Sequence, residues 1–364
     1  MTDAARHKAL SGYMLWAKTR SQSRFNLATS GLKNYPLARL PVKIEELDLS
    51  GPSWYGYAPL RQALAERCGV SPDCLVAATG TSMANHLVMA AILSPGDEVL
   101  IEHPTYELLL NVAQYLGARV KRFERHANRG FAINMDEVAR HVGPRTRLIV
   151  LTNLHNPTSA FVPSEILKQL GEIARSVGAR ILVDEVYLDA MFERAPPSAF
   201  HLGAEFITTS SLTKVYGLSG LRCGWVLAEP GLAERLWRLN DLFGVIPAHA
   251  AELLSCIALA HLDEITDDAR RLLETNGRLL NSFLSSRDDL ISVAHEHGTV
   301  SFPRLQHGSV DELCALLAEK YETSVVPGRF FEMAQHFRIG IGGETAALEE
   351  GLRRLGMALD EMGR

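Results

Sequence analysis

The middle of the chain alternates short apolar runs with stretches of three- and four-residue periodicity. The runs are Leu75–Thr79, Glu98–Glu102, Arg119–Phe123, Arg147–Thr152, Arg180–Val183, Phe206–Thr209 and Cys223–Ala228. Several, such as Leu148 to Leu151 and Ile181 to Val183, carry no polar alternation, as in strands buried on both faces of a helix-covered sheet. Between them, Met83, Leu87, Val88, Ala90 and Ala91 recur at helical spacing within Ser82–Leu93, ahead of a Pro95-Gly96-Asp97 stop. A second stripe, Ile166, Leu167, Leu170 and Ile173, lies in Ser164–Val177 between Pro163 and Gly178. The alternation predicts an α/β fold with a mostly parallel seven-stranded sheet and helices on both faces. One strand should break the rule. Only residues 211–222 separate the last two runs, too few for a relaxed crossover helix, so Cys223–Ala228 is expected to run antiparallel.

After Pro230 the pattern changes. Long helices are expected over Leu232–Phe243 and Ala250–Arg287, then strand-like runs at Val300–Leu305, Thr323–Val326 and Phe337–Ile341, and a closing helix around Ala346–Met362. This divides the chain into a large domain, residues 50–245, and a smaller α+β domain built from residues 1–49 and 246–364 with linking helices.

Composition narrows the class. With 47% hydrophobic residues the 364-residue chain can bury a substantial core. Its net charge is −5 with acids and bases interleaved, which argues against nucleic acid as a partner. The longest strongly apolar stretch, Leu87 to Leu93, is too short to span a bilayer, and the charged first residues lack the apolar core of a secretory leader. Five cysteines, an odd number with no C-x-x-C pair, fit a reduced cytoplasmic protein.

In such a sheet, ligands bind beyond the carboxyl ends of the strands. After Leu75–Thr79 comes Gly80-Thr81-Ser82, opening a helix whose amides and dipole suit a phosphate. Later strand ends carry His103-Pro104-Thr105-Tyr106, Asn153-Leu154-His155-Asn156-Pro157-Thr158, Asp184-Glu185-Val186-Tyr187 and Ser210-Ser211-Leu212-Thr213-Lys214, with Arg222 eight residues past the lysine. His295-Glu296-His297 lacks H-e-x-x-H spacing and reads as a solvated loop. No Walker A sequence and no G-x-S-x-G elbow is present.

The order N-x-x-N-P-T, D-x-x-Y, S-x-x-K and then arginine resembles the fold type I pyridoxal-phosphate enzymes, the class I/II aminotransferases. The resemblance runs from about Phe25 to the R-I-G-I-G that starts at Arg338. It implies pyridoxal 5'-phosphate as cofactor, a Schiff base on Lys214, Asp184 against the pyridine nitrogen, and Asn156 and Tyr187 on the ring hydroxyl. Thr81, Ser82, Ser211 and Arg222 would hold the phosphate, and Tyr106 would stack on the ring. Arg338 and Gly31 would receive the substrate carboxylate. Tyr55, or Tyr57 beside it, would reach a partner subunit's phosphate in a homodimer, unless that stretch is purely structural. Physical reasons accompany these roles: a lysine can hold an aldehyde, an acid can keep the ring an electron sink, and arginine matches phosphate or carboxylate bidentately. The activity implied is transfer of an α-amino group from an amino acid to a 2-oxo acid through pyridoxamine phosphate. The same residues would also serve a lyase or decarboxylase. One departure stands out: Ser159 occupies a place where the family's N-P-T motif continues with glycine.

Overall fold

A computed structural model of the chain describes residues 10–363. It begins with a short helix, α1 (Gly12–Thr19), capped by the Ser11 hydroxyl on the Met14 amide, and a two-residue strand, β1 (Phe25–Asn26). Helix α2 (Ala58–Cys68) ends at Gly69 in the left-handed conformation, a common helix stop. Then come β2 (Leu75–Thr79), α3 (Gly80–Ile92), β3 (Glu98–His103), α4 (Glu107–Tyr115), β4 (Arg119–Glu124) and α5 (Met135–His141). The alternation continues with β5 (Thr146–Thr152), α6 (Ser164–Val177), β6 (Arg180–Asp184), β7 (Phe206–Ser211) and β8 (Cys223–Leu227).

The seven strands from β2 to β8 form one sheet in the order β2-β8-β7-β6-β5-β3-β4. Every neighbouring pair is parallel except those of β8, which runs antiparallel to both β2 and β7. The reversal follows from the short 211–222 connection and leaves the carboxyl ends of β2, β3, β5, β6 and β7 on one edge. The amino end of β8 joins them there. Alternate strand residues face opposite ways. Val99, Ile101, Leu148, Val150 and Leu182 pack with Leu87 and Val88 of α3 and Leu109 of α4. Leu100, Ile149, Leu151, Ile181 and Val183 pack with Leu167 and Leu170 of α6. Each such buried side chain contributes roughly 1.5–3 kcal/mol, so a sheet apolar on both faces is stable only between two helical layers.

Beyond the sheet lie α7 (Pro230–Asn240), α8 (His249–Ala260) and α9 (Leu262–Ser285). The single helix expected over Ala250–Arg287 is therefore two helices, broken at His261, whose backbone leaves the helical region at φ −115° and ψ 20°. No glycine or proline marks this break; the turn is set by packing. The remaining elements are β9 (Leu290–Ile291), β10 (Val300–Ser301), β11 (Arg304–Leu305), α10 (Val310–Lys320), β12 (Thr323–Ser324), β13 (Val326–Pro327), β14 (Phe337–Gly340) and α11 (Thr345–Met362). The expected runs Val300–Leu305 and Thr323–Val326 each split into two short strands. β10 and β13 flank β14, β11 pairs with β9, and β12 pairs in parallel with β1. The last pairing ties the N-terminal segment to the C-terminal elements. Among the described residues no helix is long and apolar enough to cross a membrane.

Candidate active site

The polar strand ends enclose a cavity of about 240 Å³. Of the residues singled out in the sequence, Thr81, Ser82, Tyr106, Asn156, Asp184, Tyr187, Ser211, Lys214 and Arg222 all line it. Gly31 lies beneath Lys214: a β-carbon there would sit 3.4 Å from the lysine Cδ. Arg338 lies just behind Asn156, fully buried on β14. Tyr55 stands apart. Its ring packs edge-on against Trp237, and its hydroxyl meets Arg238 and Asp241 on the protein surface.

Asp184 ends β6 with one side-chain oxygen accepting from Asn85 Nδ2 at 2.8 Å and the other from the Val186 amide at 3.1 Å. Asn85 is fixed in turn by the Thr209 hydroxyl, which donates to its Oδ1 at 2.6 Å. Burial pushes the Asp184 carboxyl up to about 6, against the Asn85 and Val186 donors. A buried carboxylate of this kind is stabilised by a cationic partner in the cavity. Lys214, in the β7–β8 connection, donates to Ser30 Oγ at 3.1 Å, and the Tyr187 hydroxyl donates to the same oxygen at 2.9 Å. Burial lowers the Lys214 ammonium below its ordinary value and raises the Tyr187 phenol to about 12. A lysine depressed in this way is the more readily deprotonated, as a nucleophilic amine must be.

At the other end of the cavity, α3 presents its first turn. The Gly80 amide is taken by the Arg222 carbonyl at 2.7 Å, and the Arg222 guanidinium folds over the same glycine. A β-carbon on Gly80 would lie 2.2 Å from Arg222 Nη2, and φ is +75°, so this position requires glycine. Two buried hydroxyls here, Thr81 Oγ1 and Thr213 Oγ1, have no hydrogen-bond partner among the described residues. Unpaired buried hydroxyls beside a helix N-terminus and an arginine fit a phosphate group. The donor set as a whole fits pyridoxal 5'-phosphate.

The Asn156 turn is stable despite Ser159. Ser159 adopts φ +61°, the conformation glycine would favour, and its hydroxyl donates to the Val300 carbonyl at 2.8 Å. The Asn156 amide is anchored on the Thr152 hydroxyl at 2.9 Å, and that hydroxyl donates to Glu102 at 2.7 Å. Glu102 pairs in turn with Arg125 at 2.7 Å, both side chains fully buried.

Three polar residues that hold the site's side chains escaped the sequence reading: Asn85 behind Asp184, and Ser30 and Tyr13 in the cavity wall. Asn85 follows helical spacing and looks like any polar position on α3. Ser30 was passed over in favour of its neighbour Gly31. Tyr13 lies on α1, outside every motif, yet its hydroxyl accepts from Arg338 Nη2 at 2.9 Å. Arg338 and then Lys214 draw the Tyr13 phenol below its ordinary value, although burial alone would raise it.

The profile of aminotransferase class I and II matches residues 45–355. A capreomycidine synthase of Streptomyces vinaceus is 30% identical over 352 residues, covering 93% of this chain and 90% of the relative. An arginine–pyruvate transaminase of Pseudomonas aeruginosa is 27% identical, covering 84% and 81%. The crystal structure of a PLP-dependent aminotransferase from Streptococcus suis superimposes with a TM-score of 0.91 at 26% identity, covering 96% of this chain and 97% of that one. With residues 45–355 matched by the family and the whole fold shared with a solved member, the chain belongs to the class I and II aminotransferases, pyridoxal-phosphate enzymes of fold type I.

Proposed function

We propose that this protein moves an α-amino group from an amino acid to a 2-oxo acid with pyridoxal 5'-phosphate held on Lys214. The observation that carries the reading is the meeting of the Lys214 amine, the buried Asp184 carboxyl and unpaired phosphate-type donors in one cavity, with Arg338 behind it. The cofactor, when bound, supplies an electron sink that acidifies the Cα–H bond of the substrate. The chain's residues then have distinct tasks. Asp184 would hold a proton at the ring nitrogen. Asn156 and Tyr187 would hydrogen-bond the ring hydroxyl. Tyr106 would cover the ring, and Thr81, Ser82, Ser211, Thr213 and Arg222 would grip the phosphate. Lys214 Nζ, its basicity lowered by burial, would take the Cα proton and return it elsewhere. Arg338, with the Gly31 backbone, would orient the substrate carboxylate.

The test is the visible spectrum of the protein incubated with the cofactor, before and after a panel of amino acids. A yellow band, absent in Lys214→Ala, that bleaches with formation of pyridoxamine phosphate is the expected result. A colourless protein would overturn the reading. One observation favours a second one, a lyase or decarboxylase on the same fold: the 30% identical relative carries the name of a synthase rather than a transaminase. Release of ammonia or carbon dioxide without pyridoxamine phosphate would select it.

The homodimer belongs to the same proposal. Trp54, Leu242, Phe243, Val245 and Ile246 are large apolar side chains left exposed, and a second copy would cover them. In that assembly Tyr55, outside its own cavity, would serve the neighbouring one; sedimentation as an active monomer would refute this. A cytoplasmic location fits the five unpaired cysteines. The β1–β12 pairing between the first and last segments supports the division into residues 50–245 and the two flanking segments.

A further inference from the structure

Resting on the reading of Tyr106 as the residue that covers the cofactor ring, we infer that His155 is a positioning residue for Tyr106. Its imidazole, with the hydrogen on Nε2, holds the Pro104 carbonyl and so fixes the segment that ends in the tyrosine. His155 is buried in the turn after β5, one residue before Asn156. Its Nε2 lies 2.9 Å from the Pro104 carbonyl oxygen, and its Nδ1 lies 2.6 Å from Thr158 Oγ1. A carbonyl can only accept, so Nε2 must bear the hydrogen. Burial, and after it the Arg125 charge, hold the imidazole well below its ordinary pKa, so the ring is neutral and Nδ1 is left as an acceptor. The Thr158 hydroxyl therefore donates to Nδ1, and its oxygen accepts from the Ala160 amide at 3.2 Å. The chain of donors runs one way, from Ala160 through Thr158 and His155 to Pro104. Glu102 is not its end. That carboxylate lies 3.8 Å from Nε2, beyond hydrogen-bond reach, and takes its donors from Arg125 and Thr152.

The two segments joined by this imidazole differ in what else holds them. The turn that carries His155 is closed by its own backbone. The His155 amide donates to the Ala160 carbonyl at 3.0 Å, the Ser159 amide donates to the His155 carbonyl at 2.7 Å, and the Asn156 amide is anchored on the Thr152 hydroxyl. The other segment, Pro104-Thr105-Tyr106, bridges the end of β3 and the start of α4. Proline gives it no amide to anchor, and the buried Thr105 hydroxyl has no hydrogen-bond partner among the described residues. The Pro104 carbonyl is therefore the handle by which this segment is held, two residues before Tyr106 in the cavity wall. Without the Nε2 donor a buried carbonyl is left unpaired, and the segment must shift to find another. In the proposed function Asn156, which follows His155, meets the ring hydroxyl, and Tyr106 covers the ring face. One imidazole thus keeps the two in register.

The first measurement is nitrogen-15 NMR of the histidine side chains, with His155→Gln assigning the signal among the 13 histidines. At pH 7 the expected signature is a neutral ring protonated on Nε2. A ring protonated on Nδ1, or on both nitrogens, sinks the inference, and this result asks only that the conservative variant fold. The second measurement follows binding of pyridoxal 5'-phosphate by visible absorption and circular dichroism. His155→Leu, which keeps the bulk and removes the donor, should weaken binding roughly three- to tenfold, the ratio for one neutral hydrogen bond, and alter the visible dichroism. His155→Gln, whose side-chain amide supplies a donor for the Pro104 carbonyl, should stay within about twofold. Because His155 acts through Tyr106, His155→Leu should cost nothing further in a Tyr106→Leu background. An equal loss in that background, or a His155→Leu protein that binds as the unaltered one does, would overturn the inference. Tyr106→Leu alone separates the two layers of argument. If it weakens binding and the coupling to His155 is absent, only the role of His155 fails. If it binds as tightly as the unaltered protein and with the same dichroism, the ring-covering role beneath it fails as well.

Discussion

Replacing Arg125 with methionine tests how the cavity is supported from behind. The Arg125 and Glu102 side chains are fully buried and paired at 2.7 Å, and Arg125 Nε also donates to the Phe131 carbonyl at 2.6 Å. The Glu102 carboxylate in turn accepts from the Thr152 amide and hydroxyl, each at 2.7 Å. Burial already raises Glu102 above the usual carboxylate range, and Arg125 is the main influence opposing it. Without Arg125 the carboxyl is left buried with two donors and no counter-charge. Breaking a buried pair from one side is destabilising by about 3–5 kcal/mol, a large share of the roughly 5–15 kcal/mol that holds a typical fold. The sign of the pH dependence follows. A carboxyl whose folded pKa lies above its unfolded value binds more protons in the folded state, so stability falls as pH rises through that window. The deficit of Arg125→Met, read by urea denaturation at equal protein concentration, should therefore be larger at pH 8 than at pH 5. Adding Glu102→Gln should restore most of it. A single variant that loses less than about 1 kcal/mol, or a deficit that grows on acidification, would refute the reasoning. Because Thr152 also anchors the Asn156 amide, the single variant should in addition raise KM for the amino acid donor.

Other expectations are equally direct. In the cofactor-free protein Asp184→Asn leaves one of two buried donors without an acceptor but removes a carboxyl raised from 3.8 to about 6, whose burial costs up to about 3 kcal/mol once pH exceeds its unfolded pKa. The stability of the variant relative to the unaltered protein should therefore rise between pH 3 and pH 8; thermal melts at the two pH values check this, and the variant should be inactive once loaded. Arg338→Lys should raise KM for both substrates on the order of 100-fold, because a point charge replaces a bidentate fork; a change confined to kcat would contradict the placement. Ser159→Gly exchanges about 1–2 kcal/mol of left-handed strain for a lost hydrogen bond of about 0.5–1.5 kcal/mol, so stability should stay within about 1 kcal/mol by chemical denaturation and activity should be nearly unchanged.

The sheet was legible because its strands are buried on both faces. Runs such as Leu148 to Leu151 can be little else, and even the reversed β8 could be read from the brevity of residues 211–222. The strand-end residues were legible because chemistry dictates their types, and nine of them share one cavity. What escaped was decided by tertiary packing. The break at His261 has no local signal, and α1 is a short helix held by Glu107, nearly a hundred residues away in the chain. Tyr13 acquires its place only through that contact, as Ser30 does through Lys214 and Tyr187. Tyr55, read as reaching a partner subunit's phosphate, lies on the surface against Trp237, outside its own chain's cavity.

The β7–β8 connection carries a consequence for how this protein can change. It bears Lys214 and Arg222, and it is stitched on two sides. The Arg222 carbonyl receives the Gly80 amide, while the Lys214 and Gly217 carbonyls receive the amides of Leu32 and Tyr35. Gly217 holds a φ of +66°, and a β-carbon there would lie 2.2 Å from the Lys33 carbonyl, so the two segments touch backbone to backbone. A residue inserted or deleted between the lysine and the arginine would pull both ends of the cofactor site out of register at once. Descendants of this sequence are free to vary the walls of the cavity, but the length of this one span is frozen, and new substrates must be reached by substitution around it.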